Sequence, residues 1–255
     1  MFQHRIDRDT PRITIFHWFL LSFLAGSVNT GGLLACGRFV SHVTGIYAHF
    51  GKEASNITWD TAVGLLSVPF YFSLGVMISA FFVERPKHRG GKSRYVLVMS
   101  LVIVCLLLAA GLGYMGYFGS FAATELKTEY FLLALLCMAS GLHNGAVSVA
   151  TSNSHRPTHM TGTTTDLSIG LVRVFSLSKT TSRYKDEVSA LKLRIGAISS
   201  FILGSAVGAE LYIRFEYLGF LFPAALVLYT IIWELVNERN QTSSDQKPIP
   251  STAIS

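Results

Sequence analysis

Six runs of mainly apolar residues, each about as long as a membrane-crossing helix, leave this chain few ways to fold. They occupy residues 13–36, 60–83, 94–118, 129–150, 191–213 and 218–236. About 20 apolar residues carry a helix through roughly 30 Å of hydrocarbon, and a helix satisfies its own backbone hydrogen bonds there. The runs lack the alternation of apolar and polar residues that barrel strands show. We therefore predict an all-α, polytopic membrane helix bundle with six transmembrane helices.

The composition agrees with this class, because only 14% of the residues are charged and the mean hydropathy is +0.44. A soluble domain usually carries about 25% charged residues. We predict one transmembrane domain over residues 13–236, preceded by a cytoplasmic segment at 1–12 and followed by a disordered cytoplasmic tail at 237–255. The three cysteines lie in or beside apolar runs and predict no disulfide framework.

The distribution of positive charge predicts the orientation. With six crossings, 17 of the 21 Lys and Arg residues lie on the same side as the N-terminus. Cytoplasmic loops of membrane proteins carry such an excess. We therefore expect both termini in the cytoplasm and the protein in the cytoplasmic (inner) membrane. The net charge of +6 is explained by this topology and does not indicate nucleic-acid binding.

A short polar motif occurs twice, at corresponding places in the two halves of the chain. Each copy has Gly-x-x-Asn followed by His-x-Thr-Gly. The first copy is Gly26-x-x-Asn29 with His42-Val43-Thr44-Gly45, and the second is Gly141-x-x-Asn144 with His159-Met160-Thr161-Gly162. A weaker match pairs Leu74-Gly75 and Ala80 with Leu203-Gly204 and Ala209. The offsets of 115, 117 and 129 residues indicate an internal duplication.

The duplication and the topology together predict an inverted repeat, with repeats at 13–118 and 129–236. Each repeat contributes three crossings, an odd number, so the second repeat enters the membrane from the opposite face. The polar stretches 39–52 and 157–176 then hang from opposite faces. Both are too apolar for ordinary loops and too polar to face lipid, so we expect each to dip back as a re-entrant or broken helix. Many secondary transporters have this arrangement, with the site between the inverted halves.

The doubled motif, read with Asp166 in the second half, resembles the YoaK-like family of bacterial inner-membrane proteins over residues 16–236. That family is catalogued as six-helix membrane proteins of unknown function, so the resemblance implies a fold and a location. Relatives tend to have Asn after the first Thr-Gly, where this chain has Ile46. The resemblance therefore implies that a polar contact at this point is missing here.

The motif residues have both structural and functional interpretations. Asn29 and Asn144 can join helices through amide hydrogen bonds or contact a solute, and both interpretations stay open. His-x-Thr-Gly can interrupt a helix, because glycine permits a turn and threonine can bond freed backbone groups. Histidine also changes charge near neutral pH. The solute or proton pathway is therefore predicted at the motif side chains, which are Asn29, His42, Thr44, Asn144, His159 and Thr161.

Three further ionisable residues in apolar surroundings extend the predicted pathway. Asp166 is a candidate partner for His159 or for His143 on the preceding helix. Glu210 lies among small residues in the fifth run, where it is either a proton site or an interfacial carboxylate that reaches water. An ionisable group at membrane depth is costly and is commonly functional.

These features predict a transporter or permease that moves a small solute across the membrane, either passively or coupled to protons. The alternative is a non-transporting membrane protein with a structural, interaction or metal-binding role. No His-x-x-x-His or His-Glu pair lies within one of the apolar runs, so none fixes metal ligands on one predicted membrane helix, which argues against a metal-dependent enzyme. We predict no catalytic residues, no metal ligands and no cofactor. The expected partners are the lipid bilayer and an unidentified small solute, and a homo-oligomer is left open.

Overall fold

The computed structural model describes residues 11–55, 64–122 and 126–245, and over these residues the regular structure is helical. The helices are α1 (Arg12–Cys36), α2 (Val43–Ser55), α3 (Ser67–Ser79), α4 (Tyr95–Tyr114), α5 (Leu126–Ala150), α6 (Met160–Ser176), α7 (Ser182–Phe215) and α8 (Leu221–Asp245). Helix α3 continues through a π-helical turn, Ala80–Glu84, into the helical turn Arg85–His88. A 3-10 segment, Glu216–Phe220, joins α7 to α8.

Five of the described helical segments are long and apolar enough to cross a membrane, as expected for a helical membrane protein. They are Arg12–Cys36, Ser67–His88, Tyr95–Tyr114, Tyr130–Ala150 and Ser182–Asn237. The last spans 56 residues and contains α7, the 3-10 segment and the start of α8. The shorter helices α2 and α6, with 13 and 17 residues, carry the polar motif and are not among the five.

The predicted terminal segments lie partly outside the described residues. Residues 1–10 and 246–255 are not described, so the N-terminal segment and the end of the tail are untested. The start of the tail differs from the prediction, because α8 continues past residue 236 to Asp245. Hydrogen bonding along an established helix extends easily into water, which explains why this polar stretch stays helical.

Side-chain contacts define the relative directions of the helices. Phe19, Phe23 and Ser27 of α1 lie successively against Gly196, Gly204 and Gly208 of α7, so α1 and α7 run parallel.

Helix α8 runs the other way. His17, near the start of α1, stacks on Trp233 of α8, whereas Phe23 contacts Phe222. Helices α7 and α8 therefore run in opposite directions.

The pair α3 and α5 repeats the parallel packing of α1 and α7. Gly64 lies against Tyr130, and Gly145 further along α5 lies against Ser79 of α3. Residues from the first half of α1 contact the segment after α5, where Ser22 hydrogen-bonds to His155. The start of α1 therefore lies at the end of α5, and the two parallel pairs point in opposite directions.

Glycines allow these helix pairs to approach closely. A methyl group at Gly26 would lie less than 3.0 Å from the carbonyl oxygen of Phe201, and one at Gly141 would meet the carbonyl oxygen of Phe72 in the same way. Such contacts are essentially never observed for a real Cβ atom. Small residues commonly permit this backbone approach between membrane helices.

Equivalent residues of the two sequence repeats make equivalent contacts in the two helix pairs. Gly26 and Gly141 are offset by 115 residues, and their partners Phe72 and Phe201 are offset by 129. Gly204 packs on the Phe23 carbonyl. Gly75 packs on the Met138 carbonyl, which would lie 2.6 Å from an added methyl group.

Candidate functional site

The chain turns back into the protein immediately after α1. Helix α1 ends at Gly37, whose φ of 63° lies in the left-handed region that glycine adopts readily. Beyond this turn, the backbone N–H and the hydroxyl of Ser41 donate to Oδ1 of Asn29 at 3.2 and 2.9 Å. Asn29 lies about two turns, roughly 10 Å, before the end of α1. The segment that leads into α2 therefore runs back along the helix that precedes it.

The second half repeats this return after α5. The backbone N–H and the hydroxyl of Thr158 donate to Oδ1 of Asn144 at 3.4 and 2.8 Å. Asn144 lies almost two turns, about 9 Å, before the end of α5. Each motif asparagine therefore binds the returning segment through one side-chain oxygen, which accepts two hydrogen bonds. Both asparagines are half-buried.

The His-x-Thr-Gly motif begins a helix after each return. His42 directly precedes α2, and His159 is the N-cap residue of α6. An added methyl group at Gly45 or Gly162 would overlap the imidazole of the histidine three residues earlier. The glycine therefore makes room for the ring to fold over the first turn. The sequence interpretation, in which glycine provides a turn within a helix, was wrong in this detail because both glycines have negative φ.

The two motifs meet in one cavity of about 1090 Å³. Its wall includes these polar side chains from both halves: Asn29, His42, Thr44, Asn144, His159 and Thr161. Two charged side chains, Glu84 and Arg156, also line it. Backbone and side chains from α3 and α5 complete the wall, and Phe201 closes it on the side of α7. The cavity thus combines hydroxyl, amide and imidazole groups with apolar surface.

The other three predicted pathway residues lie outside this cavity. His143 is buried, and its Nε2 has no hydrogen-bond partner among the described residues. Asp166 lines a separate cavity of about 150 Å³, and among the described residues no hydrogen bond or ion pair joins it to His143 or His159. Glu210 is exposed and pairs with Arg214 one helical turn later.

A buried polar contact near α5 was missed from the sequence. His155 is 9% exposed and its Nε2 lies 3.1 Å from the hydroxyl of Ser22. Its ring stacks on Trp18. Burial lowers the pKa of His155 to about 4, while a backbone hydrogen bond with Trp18 raises it. No local pattern in the sequence reveals this partner on α1.

Glu84 and Arg156 were also missed as cavity residues. Both follow an apolar run and read as ordinary charges at a helix end. The doubled motif, by contrast, contains six of the lining residues, with Gly-x-x-Asn supplying the two asparagines and His-x-Thr-Gly the two histidines and two threonines. Across the described residues, no group of three or more His, Cys, Asp and Glu side chains could hold a metal ion.

Comparison with known families agrees with the resemblance seen in the sequence. The model of the family described as "Protein of unknown function (DUF1275)" matches residues 17–233. The chain belongs to the DUF1275 family. The match covers both copies of the polar motif, and it confirms the predicted membership of a domain family of unknown function.

Neither of the other comparisons adds a named relative of this DUF1275 protein. No curated protein matches the chain. No solved structure matches it either. The cavity is therefore the feature of the molecule that indicates a function.

Proposed function

We propose that this DUF1275 protein is a transporter or permease for a small solute, which passes through the cavity shared by the two His-x-Thr-Gly motifs. The observation that carries the proposal is the convergence of both motifs on one cavity of about 1090 Å³. Small-molecule sites typically have volumes of about 300–1,000 Å³ and mix apolar walls with a few polar groups. The protein binds and moves the solute without changing it chemically.

The proposed topology is six crossings in the cytoplasmic membrane, with both termini in the cytoplasm. The segment Ser182–Asn237 is 56 residues long, which as a straight helix would reach about 84 Å. Its two parts run in opposite directions past α1, so we count α7 and α8 as separate crossings. The positive-inside distribution supports the orientation.

Within this topology, the two halves form an inverted repeat with one re-entrant arm each. We call residues 37–55, which include α2, the first arm, and residues 151–176, which include α6, the second arm. The opposed directions of α1 and α5 support this arrangement, as do the equivalent hydrogen bonds to Asn29 and Asn144. The first arm returns from the outer end of α1, and the second returns from the cytoplasmic end of α5. A cavity between arms that enter from opposite faces has the geometry needed for alternating access.

His42 and His159 supply the proposed route for proton coupling. Each imidazole lies at the start of the helix in its arm, α2 or α6, and lines the cavity. An imidazole that changes charge can favour one arrangement of the arms over another. In this scheme Glu210 is not part of the pathway, because it pairs with Arg214 away from the cavity.

Flux measurements in reconstituted vesicles test the proposal. A screen of chemically varied small solutes would be run with and without a pH gradient, using wild-type protein and the variants His42→Ala and His159→Ala. We expect each variant to lose most of the flux. His49→Ala is the matched control, since His49 is exposed on α2 and does not line the cavity.

Cysteine labelling tests the access route separately. Thr44→Cys and Thr161→Cys should each react with a membrane-impermeant reagent, and they should do so from opposite faces. The native Cys36 and Cys137 are buried and Cys105 is half-buried, so labelling of wild-type protein measures the background. If both introduced cysteines are inert, or if no solute is moved by wild-type protein, the polar motifs serve only to pack the two halves together.

A further inference from the structure

Another concave site lies where the extension of α3 meets α4, and it shares no lining residue with the transport cavity. It has a volume of about 290 Å³. Four cationic side chains line it, and two phenylalanines form part of its wall. These residues are Phe81, Phe82, Arg85, Arg89, Lys92 and Arg94.

The backbone holds this site in a defined shape. Gly90 has a φ of 72°, and the N–H of Gly91 donates to the Pro86 carbonyl at 2.8 Å. The N–H of Arg94 donates to the Phe82 carbonyl at 3.1 Å. The turn between the helices is therefore tied to α3 at both ends, and the cationic side chains extend from a fixed loop.

Charge in the site is unbalanced. Among the described residues that line it, none is Asp or Glu. The nearby Glu84 lies 3.6 Å from His88 and lines the transport cavity instead. A pocket with several cations and no carboxylate favours an anionic ligand, and guanidinium groups match phosphate oxygens through paired hydrogen bonds.

The apolar part of the site faces outward at the end of a candidate membrane span. Phe81 is 51% exposed, and the guanidinium carbon of Arg85 lies 4.6 Å from the centre of its ring. Cationic side chains and exposed aromatic surface therefore lie side by side at the end of the candidate span Ser67–His88. A phospholipid offers both matching parts, because its phosphate is anionic and its acyl chains are apolar.

The corresponding turn of the second half lacks these features. Offset by 129 residues, it falls at 214–223. Its only Lys or Arg is Arg214, which pairs with Glu210, and it contains Glu216. The cationic pocket is thus specific to one end of the bundle and is not a general result of the fold.

We propose that this pocket binds the phosphate headgroup of an anionic phospholipid, with an acyl chain lying against Phe81. Basic pockets between membrane helices are recognised sites for such headgroups. The proposal depends on the membrane location of the protein and is independent of whether it transports a solute.

Lipid titration of the purified full chain tests this site. Phosphatidylglycerol or phosphatidylcholine would be added to protein in neutral detergent, and bound lipid counted by native mass spectrometry. The test variant is the double substitution Arg89→Gln and Lys92→Gln. Each basic residue near anionic lipid contributes about 1 kcal/mol, so we expect the variant to bind phosphatidylglycerol roughly 30-fold more weakly.

A matched double substitution, Arg183→Gln with Lys185→Gln, controls for loss of net charge. Both residues are exposed at the start of α7, away from the pocket, and we expect binding within about twofold of wild type. Equal thermal stability of all three proteins without lipid would show that the variants fold.

Three results would overturn the proposal. The first is equal weakening by both double substitutions, which would indicate diffuse charge attraction. The second is equal binding of phosphatidylcholine and phosphatidylglycerol by wild type. The third is full competition by millimolar inorganic phosphate, which would assign the pocket to a soluble anion.

Discussion

Adding one methyl group at Gly26 or Gly141 should destabilise the protein by disturbing the two parallel helix pairs. In each case the new Cβ atom would lie less than 3.0 Å from a backbone carbonyl oxygen, of Phe201 or of Phe72. Ordinary van der Waals contact begins near 3.4 Å. Because the obstacle is backbone, rotation of a side chain cannot relieve it, and the helices have to separate locally.

The expected cost follows from two opposing effects. Overpacking typically destabilises by about 1–3 kcal/mol, whereas replacing glycine by alanine inside a helix stabilises it by up to about 1 kcal/mol. The net result for Gly26→Ala or Gly141→Ala is a loss of roughly 1–2 kcal/mol. Since the two sites lie in different helix pairs, the double variant should lose close to the sum.

Gly111→Ala is the matched control, because Gly111 is within helix α4 and an added methyl group there meets no atom of the described part of the chain within 4 Å. Its stability should equal or exceed that of wild type. The assay is unfolding of purified protein in detergent, followed by intrinsic fluorescence. The packing argument is refuted if Gly26→Ala or Gly141→Ala behaves like Gly111→Ala.

Three other perturbations test the site and its surroundings. Asn144→Ala removes the acceptor for two hydrogen bonds from Thr158 and should lower the free energy of unfolding by about 1–3 kcal/mol. Hydrogen exchange at the Thr158 amide should become faster, and unchanged exchange would show that other contacts hold the returning segment. Gly162→Ala displaces the His159 ring and should slow flux with little change in stability, because a side chain can move. Its control is Gly51→Ala, whose added methyl group meets no atom of the described residues within 4 Å; equal flux in both would contradict this assignment. Burial lowers the pKa of His155 to about 4, below its unfolded value of about 6.5, so the unfolded state binds the extra proton between these values and stability falls as the pH falls through this window. By about pH 5 the loss should reach about 2 kcal/mol; His155→Gln should flatten this dependence in unfolding experiments at a series of pH values, and an unchanged slope would refute it.

Much of the helical layout could be predicted because membrane insertion leaves a strong signal in sequence. The apolar runs at 13–36 and 94–118 correspond closely to α1 and α4, since helices in lipid need continuous apolar surface. The run at 191–213 found only the apolar part of α7, which begins at Ser182. Its first turns are polar, with Arg183 and Lys185, and hydropathy does not detect a helix that extends into water.

The candidate site was predictable where the duplication repeated a residue type. His42 and His159 recur with the same neighbours, and both line one cavity. Ser41 and Thr158, which donate to Asn29 and Asn144, were not identified, because serine and threonine are interchangeable donors and leave a weaker repeat. Long-range contacts were also missed, as with His155, since a single sequence does not show which distant helix supplies a partner.

The distribution of packing favours movement of the arms over movement of the helix pairs. The pairs α1–α7 and α3–α5 meet through glycines that leave no room for a methyl group, so sliding would bring backbone against backbone. Each arm is buried far less: Ile46 is the buried residue of α2, and Gly170 that of α6.

The two arms are also held differently, which gives them unequal roles. Arg173 of α6 lies 3.6 Å from Glu187 of α7, and Glu187 also binds Arg194 at 3.0 Å. Helix α2 contacts α3 only lightly. Among the described residues α2 is the less restrained arm, so it breaks fewer contacts than α6 when it changes position. In the proposed alternating cycle, α2 is therefore the arm that moves first, while the glycine-packed pairs and the salt-bridged α6 keep the cavity in place.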